Sequence, residues 1–294
     1  MKGKLKVNLH LTQACNYHCR HCFAMFPEPR DLSPERWKDI ISGLAESGLV
    51  GAINFAGGEP VFCRGFPEIV SFAHEKGFLL SIITNGSLLR NEKLFPRELF
   101  PMLSMFGFSI DSLNYDTLRR IGRYDSRGNI LGRQGFIDTA RLIRELSPSA
   151  AVKINTVVSK LNWNERLVDI EEEVPVSRWK FLKMKVFETK GFSNRDLAVT
   201  ESEFESFVRN NRRRYGETVV ESTMERSYLI IDNAGNLLDN RGDSYTIIGN
   251  LLEEPFGELL SRFSLDDREY SRRYAEAKGE LRSWLHEASQ AASS

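Results

Sequence analysis

Six times along this 294-residue chain a short apolar or alternating run gives way to a longer stretch with helical spacing. The runs cover 7–11, 52–55, 79–83, 106–110, 152–158 and 179–186, and their length and period mark them as strands. The helical stretches carry their own punctuation. Ser33, Pro34 and Glu35 open one, Trp37, Ile40, Ile41 and Leu44 share a face of it, and Gly48 stops it. Strands alternating with helices predict a parallel sheet joined by crossover helices. Six units fall short of a closed eight-fold barrel, so the expected fold is α/β, a partial (βα)6 TIM-type barrel over residues 1–214 with its chemistry at the C-terminal strand ends. From 215 the pattern changes: 228–232 and 237–238 flank a turn at 233–236 and read as a hairpin, and helical segments begin near Glu254 and Asp266. The segment 215–294 is expected to be an extension that packs on the barrel and closes its mouth, with 288–294 frayed.

Forty basic and 40 acidic side chains cancel, which argues against a surface built to grip a DNA or RNA polymer but leaves a small anionic ligand open. No stretch approaches the roughly 20 consecutive apolar residues of a membrane helix. The opening MKGKLKVNLHLTQAC lacks the apolar run and cleavage site of a secretory signal. A cytoplasmic protein is therefore expected, in a compartment where thiols stay reduced and clustered cysteines serve as metal ligands or redox groups.

Cys15, Cys19 and Cys22 fall within eight residues, directly after the first strand, while Cys63 stands apart. Three thiolates from one tight loop can hold three irons of a cubic four-iron cluster, leaving the fourth iron open to a small molecule. The same residues could instead form a zinc site completed by His18 or His21, or cluster by chance.

The spacing of CNYHCRHC resembles that of the radical S-adenosylmethionine superfamily, and GGEP at 57–60 is similar to a second motif of those proteins. More specifically, VNLHLTQACNYHCRHCF, INFAGGEP, SIITNGSLL, FSIDS followed by IGR, VKINTVVSKLN, SRWKFLKM and SYLIID resemble the viperin-like nucleotide dehydratases. The resemblance implies a 4Fe-4S cluster on Cys15, Cys19 and Cys22, and S-adenosylmethionine held by Gly57, Gly58, Glu59 and Pro60 with Asn85, Ser109 and Asp111. His21 stands where relatives carry an aromatic residue against the adenine. It also implies a lyase that converts a ribonucleoside triphosphate (CTP, UTP or GTP) into its 3′-deoxy-3′,4′-didehydro analogue, a chain terminator in antiviral defence. The hydrogen abstracted is that on ribose C4′, and the electrons come from a flavodoxin or ferredoxin. The animal members begin with a membrane-binding helix; the first strand here starts almost at Met1, so no membrane association is expected.

Physical reading adds roles within the matching stretches. Lys153 and Asn155 alternate with apolar residues and so point together into the barrel, where a triphosphate would balance the lysine. Lys180 on the next strand is a second candidate, and Arg123 offers a fork to phosphate. Asn8 is placed to bond a ribose hydroxyl, with His10 in the same register. Tyr228 resembles the family's tyrosine near the ribose, a resemblance that implies positioning or radical quenching, and Arg241 is the one base of the 240–244 loop. Lys183 and Lys185 read as solvated, and Cys63 as a small core residue. Two other readings stay open: a radical enzyme acting on another substrate such as a peptide, and a zinc-stabilised binding module.

Overall fold

The computed structural model describes residues 5–22, 24, 26, 30–189, 192–213, 216–221, 228–241, 245–265 and 270. The first strand, β1 (Leu5–His10), leads through the cysteine loop into α1 (Pro34–Glu46). The Ser33 side chain accepts from Arg36 N, Pro34 sits at the first helical position, and Trp37, Ile40, Ile41 and Leu44 are buried. Past the helix end, Gly48 takes φ +65°, a left-handed turn that returns the chain to the sheet.

The expected alternation then continues through β2 (Val50–Ala56), α2 (Phe66–Glu75), β3 (Leu79–Thr84) and β4 (Met105–Ser109). Two helices, α3 (Tyr115–Ile121) and α4 (Arg133–Leu146), carry the chain to β5 (Ala151–Val158). The crossover from β5 to β6 (Arg178–Lys183) departs from expectation, since its one helical element is a 3-10 turn, Val168–Glu172. Pro175 and the polar residues Asn162, Asn164, Glu165 and Arg166 leave too few apolar positions there for a longer amphipathic helix.

After β6 come a small antiparallel pair, β7 (Glu188–Thr189) and β8 (Phe192–Ser193), and then α5 (Glu201–Asn210), which opens on a Thr200–Glu203 capping box. The sequence left β9 (Glu217–Glu221) unread; it lies parallel to β6 and adds a further strand at that edge. The hairpin is present as β10 (Ile230–Ile231) and β11 (Asn236–Asp239), with Gly235 at φ +87° in the turn, followed by β12 (Thr246–Asn250) and α6 (Phe256–Arg262). Tyr270 apart, the helix expected near 266 and the tail at 288–294 lie outside the described residues.

The main sheet has ten strands in the order β12-β11-β10-β1-β2-β3-β4-β5-β6-β9. Strands β1 to β6 pair in parallel in sequence order, and β10 joins β1 in parallel before the antiparallel β11 and β12. The sheet does not close: β9 and β12 are its two edges, so this is a partial barrel. One continuous core fills the layer between sheet and helices, with Phe55, Phe66, Phe95, Phe100 and Phe106 in edge, tilted and stacked ring contacts. Side chains on the opposite strand parity face the barrel interior, where polar and charged groups such as Asn8, Lys153 and Lys180 stand among apolar ones such as Ile83 and Leu182.

Candidate active site

The cysteine loop is held from both sides by backbone. Gly58 N donates to Thr12 O at 2.7 Å and Glu59 N to Ala14 O at 2.8 Å, while His18 N and Arg20 N reach Gly122 O and Ile121 O at the end of α3. The approach is close enough to require glycine: a Cβ on Gly58 would stand 2.4 Å from Ala14 O, and one on Gly122 2.3 Å from His18 O. Gly122 also has φ +92°, which side chains resist.

Cys15, Cys19 and Cys22 are free thiols on the wall of one compartment, with Cys63 apart in the apolar core. Burial pushes the Cys15 thiol up to about 11 and Cys19 up to about 12, and raises Cys22 as well. Arg123 opposes this from the same wall by favouring thiolate at all three. Its Nε hydrogen-bonds the fully buried Asp111, which also takes His21 Nε2 at 3.2 Å and Val157 N at 2.7 Å. Burial alone would raise Asp111, but Arg123 and His21 hold its carboxyl far below the usual range. Among the described residues no three His, Cys, Asp or Glu side chains converge closely enough to hold a single ion. Three separate thiols beside a fixed guanidinium suit instead a larger group that takes one sulfur at each of several metal corners.

The residues expected around S-adenosylmethionine divide. Gly57, Gly58, Asn85, Ser109 and His21 line this compartment. Asn85 Nδ2 bonds Asn16 Oδ1 at 2.8 Å, and His21 Nδ1 is buried with no partner among the described residues, a polar atom suited to a ligand. Glu59, Pro60 and Asp111 stand behind the wall. Glu59 accepts from Thr84 Oγ1 at 2.6 Å and Asn85 N at 2.8 Å, so it locks the GGEP turn to the turn after β3; burial lifts its carboxyl to about 7.

A second compartment runs down the barrel interior and shares His10, Ala56, Ile83, Ser109 and Val157 with the first. Asn8, Lys153, Asn155, Lys180 and Tyr228 all line it, as the strand parity predicts. Arg123 and Arg241 do not. Arg123 belongs to the cysteine compartment, and Arg241 is half-exposed and pairs with Asp239. His10 sits at the junction against the edge of Phe26, and burial takes its pKa down to about 3, so the ring is neutral.

Sequence reasoning missed Lys6, Arg178 and Asn54 on this wall, and it read as solvated Lys185, which the structure also places there. The first two lie two residues before Asn8 and Lys180, so the same parity would have found them. Lys185 lies beyond the end of β6, where parity no longer applies; it bonds Asn240 O at 3.1 Å, whereas Lys183 pairs with Glu201 outside. Lys180 Nζ lies 2.6 Å from Glu221 Oε1 and 3.0 Å from the Tyr228 hydroxyl, which donates to Glu221 Oε2 at 2.9 Å. Lys153 has no hydrogen bond or ion pair among the described residues. Burial, then Lys180, Arg178 and Lys6, depress its pKa well below the lysine range, with Glu221 opposing. Among the described residues this wall brings Lys6, Lys153, Arg178 and Lys180 together.

The Radical SAM superfamily matches residues 9–172. An S-adenosylmethionine-dependent nucleotide dehydratase of Selenomonas ruminantium is 44% identical over 92% of this chain and 98% of its own length. Another of that description, from Pseudoalteromonas ulvae, is 31% identical over 92% of this chain and 93% of its own. Among solved structures, Streptococcus suis SuiB bound to S-adenosylmethionine superposes with TM-score 0.64 at 16% identity, over 91% of this chain and 67% of SuiB, a likeness of fold.

Proposed function

The chain belongs to the S-adenosylmethionine-dependent nucleotide dehydratases of the radical SAM superfamily, and from that premise we propose that it removes water from the ribose of a ribonucleoside triphosphate. It is an enzyme that works with a 4Fe-4S cluster and S-adenosylmethionine. The observation that carries the substrate reading is the shared wall. A thiol-lined compartment opens onto a barrel interior bearing Lys6, Lys153, Arg178 and Lys180, so a polyphosphate drawn into the barrel sets its sugar at the junction.

We assign Cys15, Cys19 and Cys22 to the cluster, and Gly57, Gly58, Asn85, Ser109 and His21 to S-adenosylmethionine. When bound, cluster and cofactor supply a carbon radical able to take a hydrogen atom from ribose C4′. The chain's own part is placement and shielding. Lys153 and Lys180 bind phosphate oxygens, with Asn8 and Asn155 beside them. Ala56, Ile83 and Val157 give the junction apolar walls with little capacity to order water, which protects a reactive carbon. Tyr228 lies against Lys180 and Glu221, where it can orient the sugar. The product on this reading is the 3′-deoxy-3′,4′-didehydro nucleotide, and the net change is loss of one water.

CTP, UTP or GTP are the substrates proposed, with a flavodoxin or ferredoxin as electron donor and antiviral defence as the role. Among the described residues no helix is long and apolar enough to cross a membrane. We place the enzyme in the cytoplasm, on the support of its reduced thiols. The test is anaerobic incubation of the reconstituted, reduced protein with S-adenosylmethionine and each nucleoside triphosphate. One of them should stimulate 5′-deoxyadenosine release and yield a product lighter by one water; release that no nucleotide stimulates would overturn the reading.

A further inference from the structure

Ser81 on β3 is buried and lies outside the cavity wall, but it sits at one end of a row of side-chain hydrogen bonds that crosses three strands. Ser81 Oγ donates to Asn54 Oδ1 at 2.9 Å, Asn54 Nδ2 to Asn8 Oδ1 at 3.0 Å, and Asn8 Nδ2 to the Leu229 carbonyl at 3.3 Å. The last partner is a backbone oxygen, which can only accept, and it is held in place by Asn8 N at 2.8 Å. Asn8 must therefore turn its NH2 toward Leu229 and its oxygen toward Asn54. Asn54 in turn must offer its NH2 to Asn8 and its oxygen to Ser81, and Ser81 must donate. One fixed acceptor sets the direction of the whole row, and the hydroxyl of Ser81 closes it. If that hydroxyl swung wholly to Ile53 O, 3.4 Å away, the oxygen of Asn54 would be left buried without a donor.

Asn54 lines the cavity two residues before Ala56, which belongs to the wall shared by both compartments. It uses one N–H on Asn8, and no described residue accepts the other. An N–H facing a ligand selects an oxygen and disfavours an amino group at the same point. We propose that Ser81 is a positioning residue that fixes Asn54 as a hydrogen-bond donor to a ribose oxygen of the nucleotide. The inference rests on, and deepens, the nucleotide dehydratase reading.

The test compares Ser81→Ala, Ser81→Cys and Ser81→Thr by two measurements. Nuclear magnetic resonance of the Asn54 side-chain amide in nucleotide-free protein reads the direction of the row. Calorimetry with the nucleoside triphosphate that the wild-type enzyme turns over reads the consequence. Alanine, and cysteine with its weak S–H donor, should speed solvent exchange of the Asn54 amide. Both should raise the nucleotide dissociation constant roughly five- to tenfold, the worth of about one hydrogen bond. Threonine, which keeps the hydroxyl, should restore both readings, and S-adenosylmethionine affinity should stay at the wild-type value in all three. An unaltered Asn54 amide in Ser81→Ala, or a threonine variant as weak as alanine, overturns the proposal whatever the ligand. A wild-type protein with the Ser81-dependent amide signature that binds no nucleoside triphosphate overturns instead the dehydratase reading, and the proposed ligand with it.

Discussion

Lys180 and Glu221 face each other inside the barrel, Nζ to Oε1 at 2.6 Å, with both side chains almost wholly buried. They come from neighbouring parallel strands, β6 and β9, and Glu221 is the carboxylate set among Lys153, Arg178 and Lys180. A buried pair of this kind owes little to net stabilisation, because desolvating both charges offsets most of their attraction. Its removal by halves is what costs.

Replacing Glu221 with Leu alone should therefore lower unfolding free energy by about 3–5 kcal/mol, since Lys180 would stay buried beside two other cations. The double variant Lys180→Met with Glu221→Leu should recover most of that loss. Urea unfolding of wild type, both single variants and the double variant closes the cycle; additive costs would show that the two charges do not interact.

If the proposed nucleotide binds beside Lys153, its binding should draw a proton to that side chain. Its pKa is depressed in the ligand-free cavity by burial and by its cationic neighbours, and phosphate oxygens would raise it again. Calorimetric enthalpies in buffers of different ionisation enthalpy should differ in the sense of uptake at a pH between the lowered value and the ordinary lysine value, and Lys153→Met should abolish the difference. The sign for folding is also fixed: between the lowered folded-state value and the ordinary lysine value of about 10.4 the unfolded chain binds more protons than the folded one, so across that window Lys153 makes stability rise with pH. A Lys153→Met protein with an unchanged pH–stability slope would contradict this.

Gly58→Ala puts a methyl group into the backbone of the cysteine loop, 2.4 Å from Ala14 O and 2.5 Å from Gln13 O. Backbone on both sides leaves no flexible side chain to yield. We expect a stability loss of about 1–3 kcal/mol and a drop in iron retained per chain after reconstitution. Full iron content in the variant would show that the loop tolerates displacement.

The cysteines should separate cleanly. Cys19→Ala should lose the brown absorption of the cluster and all release of 5′-deoxyadenosine. Cys63, buried in the apolar core with its thiol pushed up to about 12, should tolerate alanine with both retained and only a modest fall in melting temperature. Cluster loss in Cys63→Ala would reopen the choice of ligands.

The amino-acid sequence by itself determined the parts of this protein that depend on near neighbours. Strand and helix alternation, the Ser33–Pro34 helix start, the three-cysteine loop and the hairpin around Gly235 are short-range patterns, and each is present in the fold. Strand parity extended that reach to Asn8, Lys153, Asn155 and Lys180, because side chains two apart on a strand share a face. Tertiary structure alone decided who meets whom across strands. Arg123 looks free to take phosphate until Asp111, twelve residues earlier, is seen to hold it beneath the cysteines. Glu59 of GGEP looks like a ligand group until it is found locking Thr84 and Asn85. Glu221 ends a short strand that sequence left unread, and it reaches Lys180 because β9 adds to the edge of β6. Such partnerships depend on sheet order and register, which are set by how the whole core packs, so no window of the chain contains them.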